Sequence, residues 1–224
     1  MKRLSHVFLV ALGLAPAAAA QLTSFGVIDY PGSRGTLAFG INDAGDVVGH
    51  YRDERNLWHG LLLKAGRFTT VDFPGADQTL VYGLNSSGDM TGMYFAPDDP
   101  KHYGWALIGG RFITIDHPLP NDMSCGTWIG DSGEVAGHVQ EKNNAYHGYI
   151  WKDGKFTLFE FQRGATWTWW DGPAEINAAG DLLGTYSDAR GKQRAFLLRK
   201  GAFTTFGSIA GFVGERGGAC RPCD

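Results

Sequence analysis

The sequence has little net charge, no sustained helical spacing and no long apolar run in its body. A formal net charge of −3 over 224 residues gives no electrostatic reason to expect a nucleic-acid partner, because such domains are usually basic. The missing helical periodicity, with 33 glycines at about twice ordinary usage, excludes a helical bundle and predicts a chain rich in turns. No stretch beyond the N-terminus approaches the ~20 apolar residues that a membrane span needs. A hydrophobic content of 43% excludes a disordered chain. Neither a G-x-S-x-G element, a phosphate loop nor a dinucleotide fingerprint is present, so no catalytic motif and no cofactor are expected.

What is present begins with a targeting segment. Lys2 and Arg3 form a cationic start, Val7 to Leu14 an apolar run, and Ala18-Ala19-Ala20 a cleavage site before Gln21. This is the pattern of a secretory signal peptide over residues 1–20. The mature chain is expected to be secreted or periplasmic, with no membrane span.

The remainder is one unit written four times. Gly40-Ile41-Asn42-Asp43-Ala44-Gly45-Asp46-Val47-Val48-Gly49 recurs as 83–92, 128–137 and 175–184. The turn glycines Gly45, Gly88, Gly133 and Gly180 lie 43, 45 and 47 residues apart. A second block follows each first one: His59-Gly60-Leu61, Tyr103-Gly104-Trp105, His147-Gly148-Tyr149 and Arg194-Ala195-Phe196. A third block starts at Phe68, Phe112, Phe156 and Phe203. Each unit reads as four short strands rich in Val, Ile, Leu, Thr, Phe and Tyr. Tight turns join the first to the second and the third to the fourth.

Stacking such sheets around an axis buries both faces, which predicts an all-β, β-propeller-like repeat fold of four four-stranded blades. A five-bladed ring with a partial blade and an open β-solenoid are the alternatives. The predicted domain covers residues 21–213, with repeats at about 37–75, 80–119, 126–162 and 173–209 and a tail at 214–224. Residues 23–32 match the third block once more and predict an extra N-terminal strand, which could join the last blade and remove an exposed edge.

The pattern Gly-Ile-Asn-x-x-Gly-Asp-x-x-Gly, then His-Gly-Leu or Arg-Ala-Phe, then Phe-Thr-Thr-x-Asp resembles the HAF family of probable extracellular repeat proteins. The resemblance covers nearly all of residues 23 to 207. It implies location and architecture rather than chemistry.

Most candidate chemistry falls on repeat-equivalent positions. Asp29, Asp72, Asp116 and Glu160 are one such set, and Asp46, Asp89, Glu134 and Asp181 another; both read as structural. His50 and His138 share one repeat position, and His59 and His147 a second, so no metal is expected. Cys220-x-x-Cys223 lacks the second ligand pair of a zinc site. Cys125, Cys220 and Cys223 are disulfide candidates, with one thiol left over. Asn85-Ser86-Ser87 fits a glycosylation sequon.

These readings favour a secreted binding or scaffold module for an unknown extracellular ligand, glycan or protein. An extracellular glycoside-acting hydrolase with an acidic site on the propeller is the alternative. The first-to-second and third-to-fourth turns share one face and are uniform. The opposite face carries the loops that vary, and variable loops on a rigid scaffold carry function. Trp167, Trp169 and Trp170 lie there, in the longest link, and are the expected binding residues.

Overall fold

Each unit begins where an asparagine side chain closes a turn that the backbone alone leaves open. Asn42 Oδ1 accepts from the amides of Ala44 and Asp46 at 3.1 and 3.0 Å, and the Asn42 carbonyl accepts from Gly45 N at 2.9 Å. Gly45 has φ +78°, a conformation that costs a residue with a Cβ. The same bonds form around Asn85 and Asn177. In the third unit Gly130 holds the position, and only the backbone bonds survive: Gly133 N to Gly130 O at 3.0 Å and Gly130 N to Glu134 O at 2.9 Å.

The structure is a computed structural model and describes residues 26–118, 121–142, 146–159, 172–177, 179–188, 190–200 and 202–206. Among these residues every regular element is a β-strand. The first unit comprises β1 (Gly35–Ile41), β2 (Val47–Arg52), β3 (Trp58–Lys64) and β4 (Arg67–Thr70). The second comprises β5 (Gln78–Leu84), β6 (Met90–Phe95), β7 (His102–Ile108) and β8 (Arg111–Ile115). The third comprises β9 (Asn121–Ile129), β10 (Val135–Glu141), β11 (Tyr146–Lys152) and β12 (Lys155–Phe159). The fourth comprises β13 (Gly172–Ile176), β14 (Leu182–Ser187), β15 (Gln193–Arg199) and β16 (Ala202–Phe206). Within each unit consecutive strands pair antiparallel. A parallel bridge between His102 and Met123 links the second unit to the third.

The first strand of every unit carries a register shift at the same repeat position, between Ala38 and Gly40 in β1 and between Val81 and Gly83 in β5. The matching shifts lie opposite Ala136/Gly137 in β10 and between Pro173 and Glu175 in β13. A bulge of this kind twists and bends the strand. The second strand then passes so close that only glycine fits opposite. A Cβ on Gly49, Gly92 or Gly137 would sit 1.9 to 2.0 Å from the carbonyl oxygens of Leu37, Leu80 and Cys125.

Packing between units supplies the core. Val48 and Val71 of the first unit meet Val81, Met90, Tyr94 and Trp105 of the second. Ala106 and Ile115 of the second meet Ile129, Val135, Tyr149 and Trp151 of the third. Ala136 of the third meets Ile176, Leu182, Tyr186 and Phe196 of the fourth. Each large side chain so buried stabilises by about 1.5–3 kcal/mol relative to exposure.

Two expectations need correction. In the expected extra strand 23–32, residues 26–32 form no strand, and 23–25 lie outside the described residues. A strand needs a neighbouring strand to pair with, and among the described residues none runs beside this block. Instead Tyr30 stacks on Tyr51 at 3.7 Å with its edge contact to Phe68. Phe73 stacks in the same way on Tyr94 at 4.0 Å beside Phe112. The block is therefore the link that precedes a unit. The third unit also begins earlier than expected, at Asn121 rather than 126.

Candidate functional site

The first turns of all four units converge on one cavity of about 660 Å³. Asn42, Asn85, Gly130 and Asn177 stand at its rim, and the residues before them, Ile41, Leu84, Ile129 and Ile176, supply an apolar lining with Trp128. Asp43, Asp131 and Glu134 contribute carboxylates, and Ser86 and Ser132 contribute hydroxyls. Among the described residues no lysine, arginine or histidine lines it.

The asparagines also tie the units together. Asn42 Nδ2 donates to the Asn85 carbonyl at 3.2 Å, and Asn85 Nδ2 donates to the Gly130 carbonyl at 3.0 Å. Ser86 adds two donations to Asp131, from its amide at 2.9 Å and its hydroxyl at 3.1 Å. The relay stops at Gly130, which has no side-chain amide to pass on. A Cβ there would meet Trp128 and Glu134, each within 2.7 Å. Asn85 is 4% exposed and its side-chain amide is bonded throughout, so the folded chain does not offer it as a glycosylation acceptor.

The strand-start acids serve the sheets. Asp46 pairs with Lys64, Asp181 with Arg199 at 2.8 Å and Glu134 with Lys152 at 3.8 Å. Asp89 accepts from Gly109 N at 2.8 Å. The hydrogen bond from Arg199 holds the Asp181 carboxyl below its ordinary range. The second set of acids is likewise committed. Asp72 accepts from Gly60 N at 3.2 Å and lies 2.8 Å from His59 Nδ1. Asp116 pairs with Lys101 at 2.7 Å, and Asp29 accepts from Thr36 at 2.9 Å. Glu160 lies outside the described residues.

His59 sits between Asp53 and Asp72, and His147 lies 2.9 Å from Glu141. Burial pushes His50 and His138 down to about 4, so both are neutral near pH 7. His50 stacks on Phe39 at 4.7 Å. Cys125 is buried and free, with its thiol pushed up to about 12 by burial. Cys220 and Cys223 lie outside the described residues, as do Trp167, Trp169 and Trp170.

Sequence reasoning assigned binding to the variable-loop face and missed this cavity. Its walls come from the most uniform turns in the chain. The signal available was the run of polar side chains at the turn position itself, Asp43, Ser86 and Asp131.

Neither a family model nor a curated protein matches the chain. Similar solved structures include a putative TolB from Agrobacterium tumefaciens, at 15% identity over 74% of this chain and 62% of that one, TM-score 0.54. The β-propeller domain of the Trilobed protease from Pyrococcus furiosus gives 12%, 77%, 54% and 0.48. A six-bladed β-propeller lectin from Aleuria aurantia, with a fucose recognition mode of its own, gives 10%, 78%, 60% and 0.47. The chain thus spans somewhat over half the length of these structures. At such identities the likeness concerns the fold alone.

Proposed function

We propose that this chain is a secreted, four-bladed propeller-type binding module with HAF-type repeats, and that the cavity between its first turns takes a glycan. One observation carries the reading: four repeat-equivalent turns surround a cavity of about 660 Å³ with carboxylates and hydroxyls over an apolar lining, and none of the described lining residues is a lysine, arginine or histidine. Its size falls in the range of small-ligand sites, ~300–1,000 Å³. Carboxylates without lysine or arginine disfavour anions. They accept well from neutral ligands rich in hydroxyl donors. Ile41, Leu84 and Trp128 offer an apolar surface for the C–H face of a sugar ring. The repeat-equivalent acids are committed beside their own strands, Asp72 against His59 and the Gly60 amide and Asp116 to Lys101, which gives the hydrolase alternative no support.

The test is a glycan array probed with the mature chain, its Asp43→Ala and Asp131→Ala variants, and a cavity-filling Ser132→Trp variant. Binding that falls at least tenfold in Ser132→Trp, with the melting temperature retained, supports the reading. Binding that survives all three substitutions but is lost in Trp167→Ala with Trp169→Ala would move the site to the opposite face.

A further inference from the structure

Three interfaces inside the chain join the same two faces in the same order. The forward face of one unit always meets the backward face of the next. Val48, Thr91 and Ala136 occupy one forward position and are each 0% exposed. Their equivalent in the last unit, Leu183, is 44% exposed. Val71 and Ile115 occupy a second forward position at 8% and 0%, whereas the equivalent Phe206 is 47% exposed. On the backward face Ile129 and Ile176 are 2% and 8% exposed, whereas Ile41 of the first unit is 71% exposed. Among the described residues, the fourth unit thus leaves a forward face and the first unit a backward face without the neighbour that the other units have, the two halves of an interface made three times within the chain. Among the described residues, no strand of the first unit packs on the fourth unit as adjacent units pack on each other.

The polar relay is open at the same two places. The carbonyls of Asn85 and Gly130 each accept a turn amide and a side-chain amide from the preceding unit. Among the described residues the Asn42 carbonyl accepts only Gly45 N. Among the described residues Asn177 Nδ2 donates only within its own turn, to Asp181 at 3.3 Å. One end lacks a donor and the other holds one to spare.

We infer that a second copy of this chain docks head to tail, the fourth unit of one copy against the first unit of the other. Leu183 and Phe206 would cover Ile41, and Asn177 would donate to the Asn42 carbonyl across the contact. Two copies related by a twofold axis make this contact twice, which closes the pair. The contact shares Ile41, Asn42 and Asn177 with the cavity rim, so association is measured without glycan and separately from glycan binding.

Light scattering of the full mature chain over 1 μM to 1 mM tests it. The expected result is a dimer. Ile41→Lys and Leu183→Lys should each shift the dissociation constant upward at least tenfold. Mixing these two variants should restore part of the association, since the tail of the first and the head of the second are intact. A chain that stays monomeric over the whole range overturns the inference, and so does a mixture that associates no better than either variant alone. Monomer throughout, with Ile41→Lys lowering the melting temperature, would show that the first and fourth units close on each other within one chain.

Discussion

Replacing Asn85 with alanine removes the centre of the turn relay. Asn85 Oδ1 accepts from Ser87 N at 3.0 Å and Asp89 N at 2.8 Å. Its Nδ2 donates to Asp89 at 3.1 Å and to Gly130 at 3.0 Å. Each hydrogen bond contributes about 1 kcal/mol net, and a buried donor left alone costs about 1–3 kcal/mol. The site is 4% exposed, so water replaces little of what is lost, and the expected cost is about 3 kcal/mol. In a domain near this size that lowers the melting temperature by roughly 6–12 °C. Asn42 makes two of the same turn bonds and one link forward, but it is only half-buried. Asn42→Ala should therefore cost about 1 kcal/mol. Asn85→Asp keeps the oxygen that caps the turn but sets a second, charged oxygen against the Asp89 carboxylate and the Gly130 carbonyl, so it should recover none of the loss. Thermal unfolding followed by circular dichroism ranks the three variants. Equal losses from Asn42→Ala and Asn85→Ala would refute the reasoning, because burial of the relay would then contribute nothing.

Gly92→Ala should destabilise by about 3 kcal/mol, since its Cβ would lie 1.9 Å from the Leu80 carbonyl oxygen; a change below 1 kcal/mol in urea unfolding would show that β5 and β6 separate freely. Acid stability should follow the buried imidazoles. His50 and His138 stand near 4 when folded, against an ordinary 6.5, so the unfolded state binds more protons between these values. Stability is complete above about pH 6.5 and falls toward pH 4, by on the order of 3 kcal/mol per histidine. Replacing both with Met, the residue at the equivalent position 93, should flatten this slope in urea midpoints measured from pH 4 to 7; an unchanged slope would place the acid sensitivity elsewhere.

The repeat made much of the fold legible. Three copies of the asparagine–glycine turn, and a fourth with Gly130 in place of the asparagine, located the first hairpin of each unit, and the structure places those turns at the predicted residues. The glycine ending each first block was visible as a pattern, but its cause was not. It answers a bulged neighbour strand, and that proximity is tertiary. The expected strand at 23–32 misled because its letters match a strand that, over the described residues 26–32, has no partner among the described strands: local sequence states a preference, and pairing decides the outcome. The cavity was hidden for a related reason. Uniform turns look structural one at a time, and only their convergence places Asp43, Asp131 and Glu134 around a shared space.

The account's central claim is that a ligand enters between the four first turns. Amide chemical-shift mapping of the isotope-labelled mature chain, titrated with the best glycan from the array, tests this most directly. The predicted result is a set of shifts confined to Asp43, Ala44, Ser86, Asp131, Ser132 and Ala179, with β4, β8 and β12 unmoved. Shifts centred on residues 161–171 or on the second-to-third loops, with the turn amides unmoved, would contradict it.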